Sequence, residues 1–458
     1  MTSGYGRPSF GITALALIMP LAVAMPSTSA QAGEPNEHLT GDWGGARTHL
    51  EERGIEVGVI YIGETFSNLS GGLKRSTSYE ARVDLTIETD LDKLVGWRGG
   101  RTHLRVFNIH NSGDFANNLV GALADPSNID AYATTRFFTI WFQQDFGKAG
   151  SIRIGQLAAD DEFIHASTAA GLINATFGWA SLLASNLPSG GASYPLAAPG
   201  VRAQVNFSEN FTLLAGAFSG NPAGDCPPDK NPQKCNKYGT TFSFEGGTFW
   251  ISEAQYLVNQ DEEAQGLAAA YKIGAWYNTG NFADKRYGRD TSGDRVSLAD
   301  PSSVRDLYHD GNWGIYGIAD QMLWRDEDSS VSVFMRGGGT PSDRNLISWY
   351  IDGGFGIKGP LQGRKDDTLT FGVAHAHISR DIAGLDRDTA FFSGSPYPVR
   401  SGETALELSY EMHMRPWWIV QPDMQYIIRP GGGNPRPGDS SRRVGNAFLL
   451  GVRTTIDF

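Results

Sequence analysis

From residue 54 onward the chain breaks into sixteen short runs of alternating apolar and polar residues, beginning at 54–66 and 79–91 and ending at 417–428 and 445–458. A two-residue period is that of a strand with one apolar face. The connections sort by length. Those after even-numbered runs are mostly short: "GKAG", "SEN", "NQDEEA", "DEDS", "RP". Those after odd-numbered runs are mostly long: 67–78, 112–134, 159–198, 220–247, 279–310, 338–347, 380–401 and 429–444. A soluble sandwich gives alternation too, but gives its hairpins no reason to sort this way. A membrane barrel does, with short periplasmic turns at one end and long external loops at the other. An even strand number puts both ends of the chain on the periplasmic side, and sixteen strands leave an open aqueous lumen. The expected fold is therefore all-β, a 16-stranded antiparallel transmembrane β-barrel.

The faces agree with this. In "YEARVDLTIETD", Ala81, Val83, Leu85 and Ile87 oppose Glu80, Arg82, Asp84 and Glu88. In "AFLLGVRTTIDF", Phe448, Leu450, Val452, Ile456 and Phe458 oppose Ala447, Gly451, Arg453, Thr455 and Asp457, with Leu449 the one bulky exception. The first set is expected to meet lipid, which places Arg453 and Asp457 in the lumen. Mean hydropathy is −0.29, compatible with a barrel because half of each strand faces water. After residue 33 nothing approaches the ~18 unbroken apolar residues of a spanning helix. The net charge of −12 argues against nucleic acid, whose binding needs clustered Lys and Arg.

The start reads as a processing segment. Arg7 is the only charge before Glu34, an apolar run follows from Phe10 to Met25, and Ala30-Gln31-Ala32 has the A-x-A pattern of a cleavage site. The predicted division is a signal peptide at 1–32, a periplasmic segment with a short helix at 33–53, and the barrel at 54–458. Thr40 or Asp42 is expected to cap a helix over 46–53, stopped by Gly54 at the C′ position, with Leu50 as its apolar contact. Arg47, Glu51, Glu52 and Arg53 are expected to face water. The two cysteines, Cys226 and Cys235 in "DCPPDKNPQKC", are expected to form a disulfide in an exported, oxidising setting. The rival reading, half a metal site, lacks a flanking histidine.

Two stretches carry a family resemblance: "LTGDWGGARTHLEERGIEVGVIY" near the start, and "LELSYEMHMRPWWIVQPDMQYIIRPGGG" with "AFLLGVRTTIDF" at the end. The chain resembles the carbohydrate-selective, OprB-like porins of Gram-negative outer membranes. The resemblance implies sixteen strands, a monomer, and passive diffusion of glucose and related sugars. It also implies outer-membrane lipid and lipopolysaccharide as surroundings, and a terminal Phe458 similar to the signal that barrels present to their assembly machinery. The "CPPDKNPQKC" loop is not part of the family pattern.

A pore for neutral sugars needs donors and acceptors at a constriction, aromatic faces for the apolar side of the ring, and charges of both signs to keep the opening wet. Parity places Glu80 and Arg82 inside on the second strand, His103 and Arg105 on the third, Trp141 and Gln143 on the fourth, and Arg153 on the fifth. The loop 159–198 opens with Asp160, Asp161, Glu162 and Phe163, and long loops can fold inward. The candidate constriction is thus Arg82, Arg105, Arg153, Glu80, Trp141, Asp160 and Glu162, with the three arginines facing Asp160 and Glu162. The resemblance implies an arginine-lined constriction but fixes no positions.

Enzyme chemistry has little support. His375 and His377 share a strand face with Phe371 and Val373, which points them at lipid, and no third ligand sits at a matching spacing. There is no G-x-S-x-G. No catalytic residues, metal or cofactor are expected. Two alternatives stand beside the sugar channel: a porin of similar build selective for small anions or carboxylates, and a secreted carbohydrate-binding β-protein.

Overall fold

The computed structural model describes residues 37–113, 115–260, 264 and 266–458. The expected leader at 1–32 lies outside the described residues. Sixteen strands form the wall: β1 Ile55–Gly72, β2 Thr77–Asp90, β3 Gly100–Asn111, β4 Thr134–Asp145, β5 Gly150–Leu157, β6 Ala198–Asn206, β7 Phe211–Ser219 and β8 Thr248–Val258, then β9 Ala269–Arg289, β10 Arg305–Arg325, β11 Ser330–Gly339, β12 Ile347–Lys358, β13 Thr368–Ile378, β14 Gly402–Arg415, β15 Trp418–Ile428 and β16 Gly445–Asp457. Each pairs antiparallel with the next, and β1 also pairs with β16, so the sheet closes. A short strand, Arg295–Ser297, adds to the end of β9.

The connections fall as their lengths predict, short at one end of the barrel and long at the other. β9 and β10 are 21 residues each. At ~3.3 Å per residue they run about 70 Å, and 21 residues is about twice the 9–11 a tilted spanning strand needs. Their extra length projects at the long-loop end.

Outward-facing side chains form an apolar surface. Trp250, Ile273, Trp313, Ile315, Met335 and Ile351 all stand exposed. A soluble monomer rarely leaves so much apolar area bare, whereas a bilayer covers it. His375 and His377 fall on this face, both against the Trp349 ring at centroid distances of 5.1 and 4.9 Å.

The β1–β16 seam sets Glu64 opposite Arg453. Arg453 Nε lies 2.7 Å from Glu64 Oε2, buried on the lumen side. Leu449 also points inward. It is fully buried beneath Leu119 and Val120, which explains an apolar residue on the polar parity.

The start motif folds onto this seam. The helix spans Ala46–Glu52, after a single turn at Trp43–Gly45. Asp42 Oδ1 accepts the Thr48 N–H and hydroxyl at 2.8 and 2.9 Å, which holds its carboxyl below the usual range. Gly54 ends the helix at φ +82°, and a Cβ there would lie 2.7 Å from Asp90 O. Only glycine suits both demands. One expectation fails: Arg47 does not face water. It is 7 % exposed, lies 4.4 Å over the Trp43 ring, and donates to the Phe458 carbonyl at 2.5 Å. The guanidinium is thereby covered by an aromatic ring on one face while it holds the residue that follows β16. Nearby, His38 Nδ1 meets Asp457 Oδ1 at 2.9 Å, and the Leu39 N–H donates to Asp457 O at 2.8 Å. Arg47→Ala removes a buried charged donor worth about 1.5–3 kcal/mol. It is expected to lower the temperature of heat modification on gels by roughly 5 °C; an unchanged temperature would show the clamp to be idle.

Two long loops turn into the lumen. The loop after β3 carries a short helix, Ala116–Val120, packed on Phe66, Ala405, Ile427, Ala447 and Leu449. The loop after β5 buries Phe163, Leu172, Phe177, Leu182 and Leu183 against the inner faces of β7 to β13. Carboxylates of the wall anchor both by accepting loop N–H groups. Glu80 takes Ala116 at 2.7 Å, and Glu403 takes Leu123 and Ala124 at 2.8 and 2.9 Å. Glu253 takes Ile164 at 3.0 Å, Asp320 takes Thr168 at 2.8 Å, and Glu407 takes Ile173 and Asn174. A buried N–H needs an acceptor, and these side chains supply one, so they seat the loops rather than line the opening.

Candidate functional site: a narrowed lumen

The loops pack on the inner faces of β7 to β16 and β1, while β2 to β6 keep partly exposed charged side chains on their inner face. Its charged side chains arrange themselves in two units of the same design. Asp84 lies between two arginines, with Arg82 Nε at 2.7 Å and Arg105 Nη2 at 2.7 Å. Glu162, from the loop after β5, lies between two more, with Arg153 Nη1 at 2.8 Å and Arg202 Nε at 2.7 Å. Arg153 and Arg202 are register partners on β5 and β6. Like charges placed opposite repel; Glu162 and Gln143 Oε1, which accepts from both arginines at 2.9 and 3.0 Å, resolve the conflict. Each unit holds two guanidinium charges against one carboxylate.

The arginines reach the water unequally. Side-chain exposure is 29 % for Arg105 and 17 % for Arg153, against 10 % for Arg82 and 3 % for Arg202. Below Arg82 and Arg105 lies an aromatic floor of Phe107, Phe138 and Tyr194, with the Phe107 ring 4.5 and 5.0 Å from the two guanidinium carbons. On the loop side, Asp160 Oδ2 accepts the Tyr194 N–H at 2.9 Å. Burial and the adjacent Asp161 carboxylate push Asp160 up to about 7.

The expected pairing holds at one point and shifts at others. Arg153 meets Glu162. Arg82 and Arg105 instead share Asp84, because both flank it on the barrel wall while Asp160 is turned toward Tyr194. Glu80 lies 3 % exposed beneath the helix Ala116–Val120, away from the opening. Trp141 lines the wall, yet its ring takes His103 from the β3 side at 4.7 Å and 4°, and Arg153 from the β5 side at 3.8 Å. A ring covered from both neighbouring strands offers no open face to a sugar. Arg202 lies outside the candidate set, although the parity of "GVRAQVNF" places it inside. Asp84 was placed inside without a role.

The family described as "Carbohydrate-selective porin, OprB family" matches residues 74–458. The chain belongs to this OprB family. It is 25 % identical to Porin B of Pseudomonas aeruginosa over 461 aligned positions, covering 94 % of both chains. It is 22 % identical to the protein described as "Putative porin QuiX" of Acinetobacter baylyi, covering 93 % of this chain and 94 % of that one. The high-pH structure of Pseudomonas putida OprB superimposes with a TM-score of 0.81 at 22 % identity, over 94 % of this chain and all of that one. At that identity the likeness speaks to the fold. For this OprB-family porin, the match includes the inward-loop and arginine-bearing segments described above, while the start motif at 41–47 lies before it.

Proposed function

We propose that this porin lets glucose-type monosaccharides and related carbohydrates diffuse passively across the outer membrane of a Gram-negative bacterium into the periplasm, after export through the leader at 1–32. The observation that carries the reading is the wall of two-arginine, one-carboxylate units beside the opening. Guanidinium groups offer donors in a fixed fork, and Asp84, Glu162 and Gln143 offer acceptors, so a sugar can exchange its water hydrogen bonds for these as it passes. Lipid and lipopolysaccharide around a single barrel, and an assembly machinery that reads Phe458, belong to the same proposal.

Liposome swelling tests it. Arg105→Ala is expected to change the glucose rate most, about three- to tenfold as for loss of a hydrogen bond or two, with Arg153→Ala next and Arg82→Ala least, in the order of their exposure. Unchanged rates and preference in all three would sink the assignment. A second reading, a channel for small anions or carboxylates, is favoured by the guanidinium excess of the same units. Planar-bilayer current separates the two: glucose as the better blocker supports the sugar channel, and a small carboxylate as the better blocker supports the alternative.

A further inference from the structure

The disulfide loop has a place in this fold that the family pattern does not explain. Cys226 and Cys235 are joined, Cα to Cα 5.8 Å, in the loop between β7 and β8. Asn236 ties that loop to itself: its Nδ2 donates to Pro222 O at 3.0 Å, and its Oδ1 accepts the Thr241 hydroxyl at 2.9 Å. The loop then lies across the long-loop end of β4. The Phe137 N–H donates to Tyr238 O at 3.0 Å, and Gln156 Nε2 donates to Gly239 O at 3.0 Å. Gly239 has φ +69°, and a Cβ there would lie 1.8 Å from Phe137 O, so the contact is backbone on backbone.

At the centre is Arg136 on β4, 1 % exposed. Its partners are three backbone carbonyls rather than a carboxylate: Pro195 at 2.5 Å, Gln233 at 3.4 Å and Lys237 at 3.2 Å. Two of these belong to the stapled loop and the third ends the inward loop after β5. The residue before that third carbonyl is Tyr194, whose N–H holds Asp160, whose hydroxyl donates to Ile129 O at 2.9 Å, and whose ring lies 4.9 Å from the Arg82 guanidinium. The stapled loop grips the other inward loop as well, where Gln233 Oε1 accepts the Tyr132 N–H at 2.9 Å.

We propose that Arg136 is a positioning residue which, itself held by the Cys226–Cys235 loop, fixes Pro195 and the adjacent Tyr194 and so the shape of the sugar path. Resting on the sugar-channel reading, this adds a strap that holds both inward loops at the long-loop end of the barrel. Buried guanidinium charge needs acceptors, and among the described residues Arg136 finds them in loop carbonyls. Release of the loop removes two of the three carbonyls that hold the Arg136 guanidinium and so loosens its grip on Pro195, next to the Tyr194 that faces Arg82.

Planar-bilayer recordings with glucose as blocker, alongside reversal potential in a KCl gradient, test it. Wild-type current indifferent to glucose would count against the channel reading itself. Given block in the wild type, Arg136→Leu and the Cys226→Ser/Cys235→Ser pair are each expected to shift the half-blocking glucose concentration about threefold or more, and to move the reversal potential. Arg136→Lys is expected to recover part of the shift, since an ammonium can reach one or two of the three carbonyls. Folded, heat-modifiable Arg136→Leu with wild-type block and reversal potential overturns the proposal. Should Arg136→Leu not fold, the double serine variant decides alone: shifted block supports the strap, and unchanged block overturns it.

Discussion

Replacing Arg336 by leucine is expected to raise single-channel conductance at least about twofold and to abolish glucose block, the largest change any single residue of the inner wall should give. Arg336 on β11 is 2 % exposed. It pairs with Asp352 on β12, Nε to both oxygens at 3.1 Å, and Tyr350 donates to the same carboxylate at 2.7 Å. Its other nitrogens donate into the loop after β5, to Ile164 O at 2.9 Å, Gly178 O at 3.1 Å and Thr176 O at 3.0 Å. One guanidinium thus pins the loop that carries Asp160, Asp161 and Glu162. Leucine leaves Asp352 buried with the Tyr350 hydroxyl but no cation, a cost of about 3–5 kcal/mol, and leaves three carbonyls without their donor. The barrel ladder does not depend on them, so relaxation should fall on the loop. Bilayer conductance, with heat modifiability as the check that the wall persists, decides the matter. Wild-type conductance from a folded variant would show that apolar packing alone seats the loop.

The second large effect is expected from Glu162→Gln, which keeps the shape and removes the charge between Arg153 and Arg202. Two facing guanidinium groups, with 17 and 3 % side-chain exposure, then lose the carboxylate that sits between them. A unit charge at ~4 Å is worth about 1 kcal/mol in a water-like medium, or about fivefold in an ion's relative permeability. The reversal potential in a KCl gradient should move toward anions by that factor, and the move should shrink in high salt as screening takes over. Glucose entry should fall because an acceptor is lost between two donors. A reversal potential equal to that of the wild type would mean that Glu162 lies off the ion path.

How far the sequence reached depends on which physical signal each feature left. Strand alternation and loop sorting leave long-range patterns, so all sixteen strands, the closure of β16 on β1, and the lumen position of Arg453 could be read. The inward loops left only their length. Nothing local says that Glu80, Glu403 and Glu407 will receive loop N–H groups rather than line an opening, because their partners lie 36, 280 and 233 residues away. Arg82 and Arg105 were placed on the right face, but partner choice depends on the stagger between β2 and β3, where Asp84 falls opposite Phe107 and Arg105 opposite Thr86. Trp141 shows the same limit. Its parity was readable, while the covering of its ring comes from neighbours on two other strands.

Arg47 and Phe458 are 411 residues apart, and the partner of the start motif is the far edge of the sheet. Loop-closure entropy opposes such a contact until everything between is ordered. The motif therefore has nothing to hold while the wall is incomplete, and its clamp can engage only when β16 has found β1. In a growing barrel this makes the start motif a latch on the last seam: a segment just ahead of the first strand waits on the final one, and its fastening goes with the passage from an open sheet with two bare edges to a closed cylinder with none.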